Sequence, residues 1–229
     1  MIVAIIPARG GSKRIKKKNI KNFLGRPIIS YPIKEAIKAK IFDKIIVSTD
    51  SNQIMKISKK YGAKILFKRP KNLSGDKVGT REVVSHAINW LDKNLKKPKL
   101  ICCIYPTSPL IKAKDLVSSF KKIKNSRWNY VIGATKFSYP IQRAFFKNKK
   151  GGIKMVNQKN FHKRSQDLRE TYHDAGQFCW GKFNAWNSKK IILEKNSTFY
   201  LMSKLKVQDI DNLEDWKNAE KLYMLKYEK

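Results

Sequence analysis

Acidic residues are scarce in this chain: 17 Asp and Glu stand against 51 Lys and Arg, for a formal net charge of +34 over 229 residues. Arginine is scarce as well, 9 against 42 lysines. Specific phosphate and base-edge recognition leans on arginine, and the lysines are spread along the whole chain. The charge therefore argues for non-specific polyanion binding at low salt more than for a dedicated nucleic-acid reader. Only three cysteines occur, Cys102, Cys103 and Cys179, in neither a disulfide framework nor a zinc-type spacing. Cys102 and Cys103 lie in an apolar run and read as small core residues. The three histidines, His86, His162 and His173, lack metal-ligand spacing. No apolar stretch approaches the roughly 18–20 residues of a membrane helix. The N-terminal apolar run is too short for a signal peptide, so the expectation is a cytoplasmic protein with no membrane partner. Also missing are the G-x-x-x-x-G-K-[ST] and G-x-G-x-x-G loops, a nucleophile elbow and a Cys/His pair.

What is present is alternation. Ile2 to Ile6 is a short continuous apolar run, as a buried parallel strand requires. Helical spacing follows over Pro27 to Lys40, a strand over Lys44 to Ser48, a helix over Ser51 to Tyr61 and a third strand over Ala63 to Phe67. Thr80 can cap a helix running to about Leu95. Leu100 to Tyr105 and Tyr130 to Ala134 read as strands, with a helix over Ala113 to Lys124 between them. The expected fold is α/β, a mostly parallel central sheet flanked by helices. Residues 138–172 lose this pattern, carry Gly151-Gly152 and read as an inserted lobe built on a hairpin. The alternation then resumes with Gly176 to Trp180, a short helix around Phe183 to Trp186, Lys206 to Asp211 and a last helix from Leu213 to about Leu225. The charge runs Lys147 to Lys150 and Lys189-Lys190 read as solvated turns. The chain is expected to form one domain over 1–229.

Several stretches could carry chemistry. Arg9-Gly10-Gly11-Ser12-Lys13 directly follows the first strand, where open α/β sheets hold phosphate ligands. A tight turn with solvated lysines is the plainer reading of the same loop. Asp209 and Asp211, two apart on a strand, would point to one side and suit a divalent cation bridging to a nucleotide phosphate. The alternative is a surface acid followed by a capping acid. In Tyr105-Pro106-Thr107-Ser108-Pro109 two hydroxyls sit between prolines at a strand end. Arg164 could clamp a carboxylate bidentately, and His173 could be a base or half of a hydrogen-bonded surface pair.

The run Ile5-Ile6-Pro7-Ala8-Arg9-Gly10-Gly11-Ser12-Lys13-Arg14 with Lys18-Asn19-Ile20 resembles the signature of the sugar-acid cytidylyltransferases, the CMP-acylneuraminate synthetase family. Val47-Ser48-Thr49-Asp50, Arg69-Pro70, Pro106-Thr107-Ser108-Pro109 and Asp209-Ile210-Asp211 match in the same order. Tyr105, Pro140-Ile141-Gln142-Arg143, Arg164 to Leu168 and His173 to Phe178 resemble the pseudaminic acid branch of that family; the sialic-acid branch typically has Gln where Tyr105 stands. The resemblance implies a nucleotide-diphosphosugar-transferase-like fold and a homodimer whose lobe reaches into the partner's sugar site. It also implies CTP as co-substrate, Mg2+ as cofactor and a nonulosonic sugar acid as acceptor. Pseudaminate leads, with legionaminate or N-acetylneuraminate as alternatives and a basic nucleic-acid-binding protein as the non-enzyme alternative. By position, Arg9, Lys13 and Lys18 match residues that hold the triphosphate, and Asn19, Arg69 and Thr80 those around the cytidine. Ala8, Gly10, Gly11, Ser12 and Thr107 are expected beside the nucleotide. Asp209 and Asp211 match the magnesium-site acids, and Tyr105, Gln142, Arg143, Arg164, His173, Asp174 and Gln177 are assigned to the sugar acid. The family commonly has Ile-Pro-x-Lys-Asn, whereas this chain has Lys16 in place of the proline.

Overall fold

The computed structural model describes residues 1–188 and 191–225. Its elements are β1 (Ile2–Pro7), β2 (Asn22–Phe23), β3 (Arg26–Pro27), α1 (Ser30–Ala39), β4 (Lys44–Ser48), α2 (Asn52–Lys60), α3 (Thr80–Asn94), β5 (Leu100–Ile104) and α4 (Ala113–Ile123). There follow β6 (Tyr130–Lys136), β7 (Phe145–Lys147), β8 (Ile153–Met155), β9 (Tyr172–Lys182), α5 (Phe183–Trp186), β10 (Ser197–Leu201) and α6 (Leu213–Met224). Six strands form one sheet in the order β10-β6-β9-β5-β1-β4. All neighbours run parallel except β9, which is antiparallel to both β5 and β6.

The apolar run of β1 is buried because both faces of the sheet are covered. Val3 and Ile5 pack toward α3 and α5 with Val84, Ile88 and Trp186, while Ala4 and Ile6 pack toward α1 and α4 with Ile33, Leu116 and Phe120. Such two-sided burial is why the strand reads as continuous rather than alternating. The three cysteines are free and buried, as the sequence suggests for Cys102 and Cys103. Among the described residues no helix is long and apolar enough to cross a membrane.

Four readings change. Ala63 to Phe67 is no strand: it contributes one isolated parallel bridge, Lys64 to Ile46. Lys64 N donates to Ile45 O, and a regular ladder would bring Leu66 to Val47 O and then residue 68 to Thr49 O, but Arg69 N is found there. One extra residue must bow out, and the ladder breaks. Thr80 opens α3 as its first residue, with Gly79 at the cap and no side-chain cap bond. Asp209 and Asp211 lie on an irregular segment before α6, not on a strand. Finally, β2 and β3 make a small hairpin that the helical reading from Pro27 overlooked; Leu24 and Gly25 at its tip both have positive φ, 43° and 90°, as tight two-residue hairpins require. The Lys189-Lys190 turn lies outside the described residues.

Between β6 and β9 the chain leaves the sheet, and residues 137–171 carry the separate β7–β8 hairpin. A third apolar cluster joins distant parts of the chain. Ile15, Phe23, Ile28 and Tyr31 pack against Ile210, Trp216 and Ala219. Phe23 meets Tyr31, Trp216 and Tyr223 edge-on at centroid distances of 5.2, 5.5 and 5.8 Å. Each such buried side chain contributes roughly 1.5–3 kcal/mol, and together they clamp the segment before α6 onto the loop after β1.

Candidate active site

In the sheet order, β1 has β4 on one side and β5 on the other, so the carboxyl ends of β1 and β5 flank the point where the strand order reverses. Open α/β sheets bind ligands at such a crevice. A cleft of 230 Å³ lies there, lined among others by Arg9, Ser12, Lys13, Lys18, Asn19, Arg69, Thr80, Tyr105 and Thr107. Nine residues singled out from the sequence thus converge on one cavity.

Their roles differ. Arg9, Lys13 and Lys18 supply positive charge. Asn19 is buried, and its Nδ2 donates to Arg9 O at 2.9 Å, fixing the loop that carries Arg9. Arg69 is 4% exposed; its Nη2 donates to Ser48 O at 2.7 Å and its Nη1 to Leu73 O at 3.4 Å, while Nε finds no partner among the described residues. Burial lowers its pKa, opposed by the charge of Asp50. Tyr105 shares a side-chain hydrogen bond with Thr80, which ties the end of β5 to the start of α3, and burial pushes its phenol well above the ordinary value.

The two glycines make a less open cradle than the sequence suggests. Gly10 N donates to Asp50 Oδ1 at 2.9 Å, and Ala8 N donates to Ser48 O at 2.9 Å. Both amides are therefore committed to the scaffold. A Cβ on Gly10 would lie 3.1 Å from Ser51 Cβ, whereas Gly11 is exposed with open space around it. Ser108 is likewise structural: it is buried and its Oγ donates to Tyr105 O at 2.6 Å. Lacking the proline, the loop is held by other means. Ile15 is buried in the third cluster, Lys17 takes a left-handed conformation at φ 53°, and Lys18 N donates to Ile15 O at 3.1 Å.

Lys18 joins the two halves of the site. Its Nζ donates to Ile210 O at 2.6 Å and lies 3.8 Å from Asp211 Oδ1; burial lowers its pKa, opposed by the charge of Asp211. Arg14 Nη1 pairs with Asp211 Oδ2 at 2.8 Å. The backbone of Asp211 is fixed by the α6 cap. Asp215 Oδ2 accepts from Asp211 N at 2.9 Å and Asn212 N at 3.0 Å, while Asn212 Oδ1 accepts from Asp215 N at 2.9 Å, a reciprocal capping box. Asp209 and Asp211 flank the buried Ile210. Asp209 reaches solvent, yet the surrounding protein raises its carboxyl by desolvation, and the charge of Asp211 adds to this.

Asp174 faces the same place from β9. One residue of β6, Gly133, stands opposite four of β9, residues 175–178, so the strand bulges there. Gly176 adopts φ +60°, its N donates to Asp174 Oδ1 at 2.8 Å, and a Cβ on it would lie 3.6 Å from Asp209 Cγ. Asp174 reaches solvent, yet the surrounding protein raises its carboxyl by desolvation, and the charge of Asp209 adds to this. Gln177 is buried, and its Oε1 finds no partner among the described residues. His173 Nδ1 lies 2.9 Å from Asp174 O, and its ring packs on Phe137 at 4.7 Å.

The lobe residues are not brought to the cleft within one chain. Gln142 Nε2 donates to Arg169 O, Arg143 to Lys163 O, and Arg164 Nε pairs with Asp167 Oδ2 at 2.9 Å. The divalent cation that the resemblance implies can be tested against the donors present. Among the described residues no three of His, Cys, Asp and Glu converge. Mg2+, however, commonly takes one or two carboxylates and completes its shell with phosphates and water. Asp209 and Asp211 are hard donors whose mutual repulsion a cation would relieve, so the donor set fits. Sequence reasoning missed Arg14 and Asp76, which pairs with Arg9 and Lys13; for Asp76, a rare acid in a basic connection between Arg69 and α3 was the available signal.

A basic loop at the switch point of a Rossmann-like sheet, opposed by paired carboxylates, defines a nucleotidyltransferase type of site. The chain belongs to the cytidylyltransferase family, whose sequence profile, described as Cytidylyltransferase, matches residues 3–176. It is 41% identical to the pseudaminic acid cytidylyltransferase of Campylobacter jejuni, over 99% of this chain and 97% of that protein. It is 27% identical to the N-acylneuraminate cytidylyltransferase of Escherichia coli, over 95% of this chain and 51% of that one. Among solved structures, a CMP:2-keto-3-deoxy-manno-octonic acid synthetase complexed with CTP shares the fold, with a TM-score of 0.72, 13% identity and coverage of 98% of this chain and 99% of that one.

Proposed function

We propose that this enzyme couples CTP to pseudaminate, giving CMP-pseudaminate and pyrophosphate. The observation that carries the sugar assignment is the 41% identity, nearly end to end, to a pseudaminic acid cytidylyltransferase, against 27% for the N-acylneuraminate enzyme. These similarities do not favour the nucleic-acid-binding alternative. In the proposed reaction the anomeric hydroxyl attacks the α-phosphorus, the bond from that phosphorus to the β-bridging oxygen breaks, and the hydroxyl proton passes to solvent. Such transfers need positioning and charge neutralisation more than covalent help. Arg9, Lys13 and Lys18 stabilise charge that builds on the departing pyrophosphate. Asp209 and Asp211 hold Mg2+, which when bound supplies Lewis-acid polarisation at the reacting oxygens. Asn19 and Arg69 shape the nucleotide side of the cleft, Ser12 and Thr107 offer hydroxyl donors, and Tyr105, Asp174 and Gln177 face the acceptor. Gln142, Arg143 and Arg164 act on the acceptor in the other copy of a homodimer, Arg164 by clamping the sugar carboxylate.

Pyrophosphate release, measured with CTP and each purified sugar acid, tests this reading. Pseudaminate should give a kcat/KM at least tenfold above legionaminate and N-acetylneuraminate, and Asp211→Ala should remove metal-dependent turnover. Equal rates on all three acids would defeat the sugar assignment, and an active Asp211→Ala enzyme would defeat the metal assignment.

A further inference from the structure

Two cations of the cleft already have an anion. Arg9 Nη1 lies 2.5 Å from Asp76 Oδ1, and Lys13 Nζ lies 2.5 Å from Asp76 Oδ2, so one carboxylate bridges both with separate oxygens. Asp76 sits on the exposed connection between Arg69 and α3. The near end of that connection is anchored, since Arg69 donates to Leu73 O and Ser74 Oγ donates to Pro70 O at 3.0 Å. Beyond Gly75 the tip is held across the cleft by the ionic bridge itself. The Lys13 hydrogen bond, foremost, and the neighbouring Arg9 charge keep the carboxyl below its ordinary value, so it is ionised at neutral pH. The cleft's 230 Å³ falls short of the roughly 300–1,000 Å³ usual for small-molecule sites, in keeping with a bridge that draws its walls together.

We infer that Asp76 is a built-in stand-in for the terminal phosphates, a specificity residue that a triphosphate must displace and that reclaims Arg9 and Lys13 when pyrophosphate departs. This rests on the nucleotidyltransfer reading of the cleft. The geometry sets what can displace it. A ligand must offer anionic oxygens to both cations at once where the leaving group sits, which the β- and γ-phosphates of CTP and free pyrophosphate do, whereas the phosphate of CMP is tied by its nucleoside to the α position and does not reach both. The pairs are also weak enough to exchange. The Arg9 and Lys13 side chains are 33% and 81% exposed, and solvent-exposed ion pairs are individually feeble. Asp76 thereby discounts the affinity of every polyphosphate, CTP and the leaving pyrophosphate alike, and clears the site between turnovers.

Calorimetric titration of CTP, CMP and pyrophosphate into the wild-type protein, Asp76→Asn and Asp76→Ser, without sugar acid, tests this. Removing the charge should tighten CTP and pyrophosphate by about three- to tenfold, the scale of one or two exposed ion pairs, and leave CMP within about twofold. Pyrophosphate should become a correspondingly stronger product inhibitor. Unchanged or weaker CTP and pyrophosphate binding in both variants, or an equal gain for CMP, overturns the role of Asp76 alone. A wild-type protein that binds no CTP overturns this inference together with the reading beneath it.

Discussion

Asp209 and Asp211 hold two negative charges next to each other in a chain that has few, and the free protein manages them unequally. Asp211 is met by Arg14 and Lys18. Asp209 is left with a carboxyl raised by desolvation from the surrounding protein and by Asp211. A carboxyl whose folded pKa lies above its ordinary 3.8 binds more protons in the folded state between those two values. Stability therefore falls as pH rises through that window, and the full penalty is present at neutral pH. Asp209→Asn should accordingly raise the melting temperature at pH 7 by up to about 3 °C, the shift of a sub-kcal/mol gain in a chain of this size, since solvent screens the effect. The gain should vanish below about pH 4, where both forms are neutral, and the same variant should lose metal-dependent pyrophosphate release. Scanning calorimetry at the two pH values checks the sign; a lower melting point at pH 7 would contradict it.

At the scale of elements, the bulge in β9 shapes the side of the cleft proposed above for the acceptor. Residues 175–178, out of register with β6, bring Gly176 against Asp209, with Asp174 just before them close enough to feel the Asp209 charge. Gly176→Ala leaves ordinary contact distances, 3.6 Å to Asp209 Cγ, so its cost is the left-handed backbone. That costs an L-residue about 1 kcal/mol. Urea unfolding should show this loss, and kcat should drop more than the KM for CTP changes, because the acceptor side moves and the nucleotide side does not. How much of this was legible follows from physics that is local or not. The run Ile2 to Ile6, the helical faces of α1 to α4 and the whole of α5 carry their periods in the sequence. The basic loop after β1 could be placed at a strand end for the same reason. The direction of β9 could not, because an antiparallel strand buried on both faces reads like a parallel one. The failed strand at Ala63 to Phe67 also looked sound locally, and broke only because Arg69 had to reach Thr49 O and Ser48 O. Ion pairs such as Asp76 with Arg9 join loops that only the folded sheet brings together.

For the whole molecule the lobe and the net charge pull in opposite directions. In the β7–β8 ladder Phe145 stands opposite Met155 and Lys147 opposite Ile153, which puts Phe145 and Ile153 on one face. They are 61% and 71% exposed, and Val156, paired with Ala144 on the other face just past β8, is 64% exposed. A lone two-stranded hairpin with an uncovered apolar face is marginal in water, and a patch of this kind marks an interaction surface. A second copy is the occupant that would also carry Arg164 to a neighbouring cleft. Yet each copy bears +34, so like-charge repulsion opposes pairing until salt screens it, at a Debye length of about 10 Å in 0.1 M. Sedimentation analysis should therefore find the dimer fraction rising from low to moderate salt, the reverse of polyanion binding, which salt weakens. The triple change Phe145→Ser, Ile153→Ser and Val156→Ser should yield a monomer that still binds CTP with near-native affinity. Its pyrophosphate release with sugar acid should fall by at least tenfold, since each cleft would lose the arginine supplied by the other copy. A monomeric wild-type protein at every salt concentration, or a monomeric variant with full turnover, would show that one chain completes the sugar site by itself.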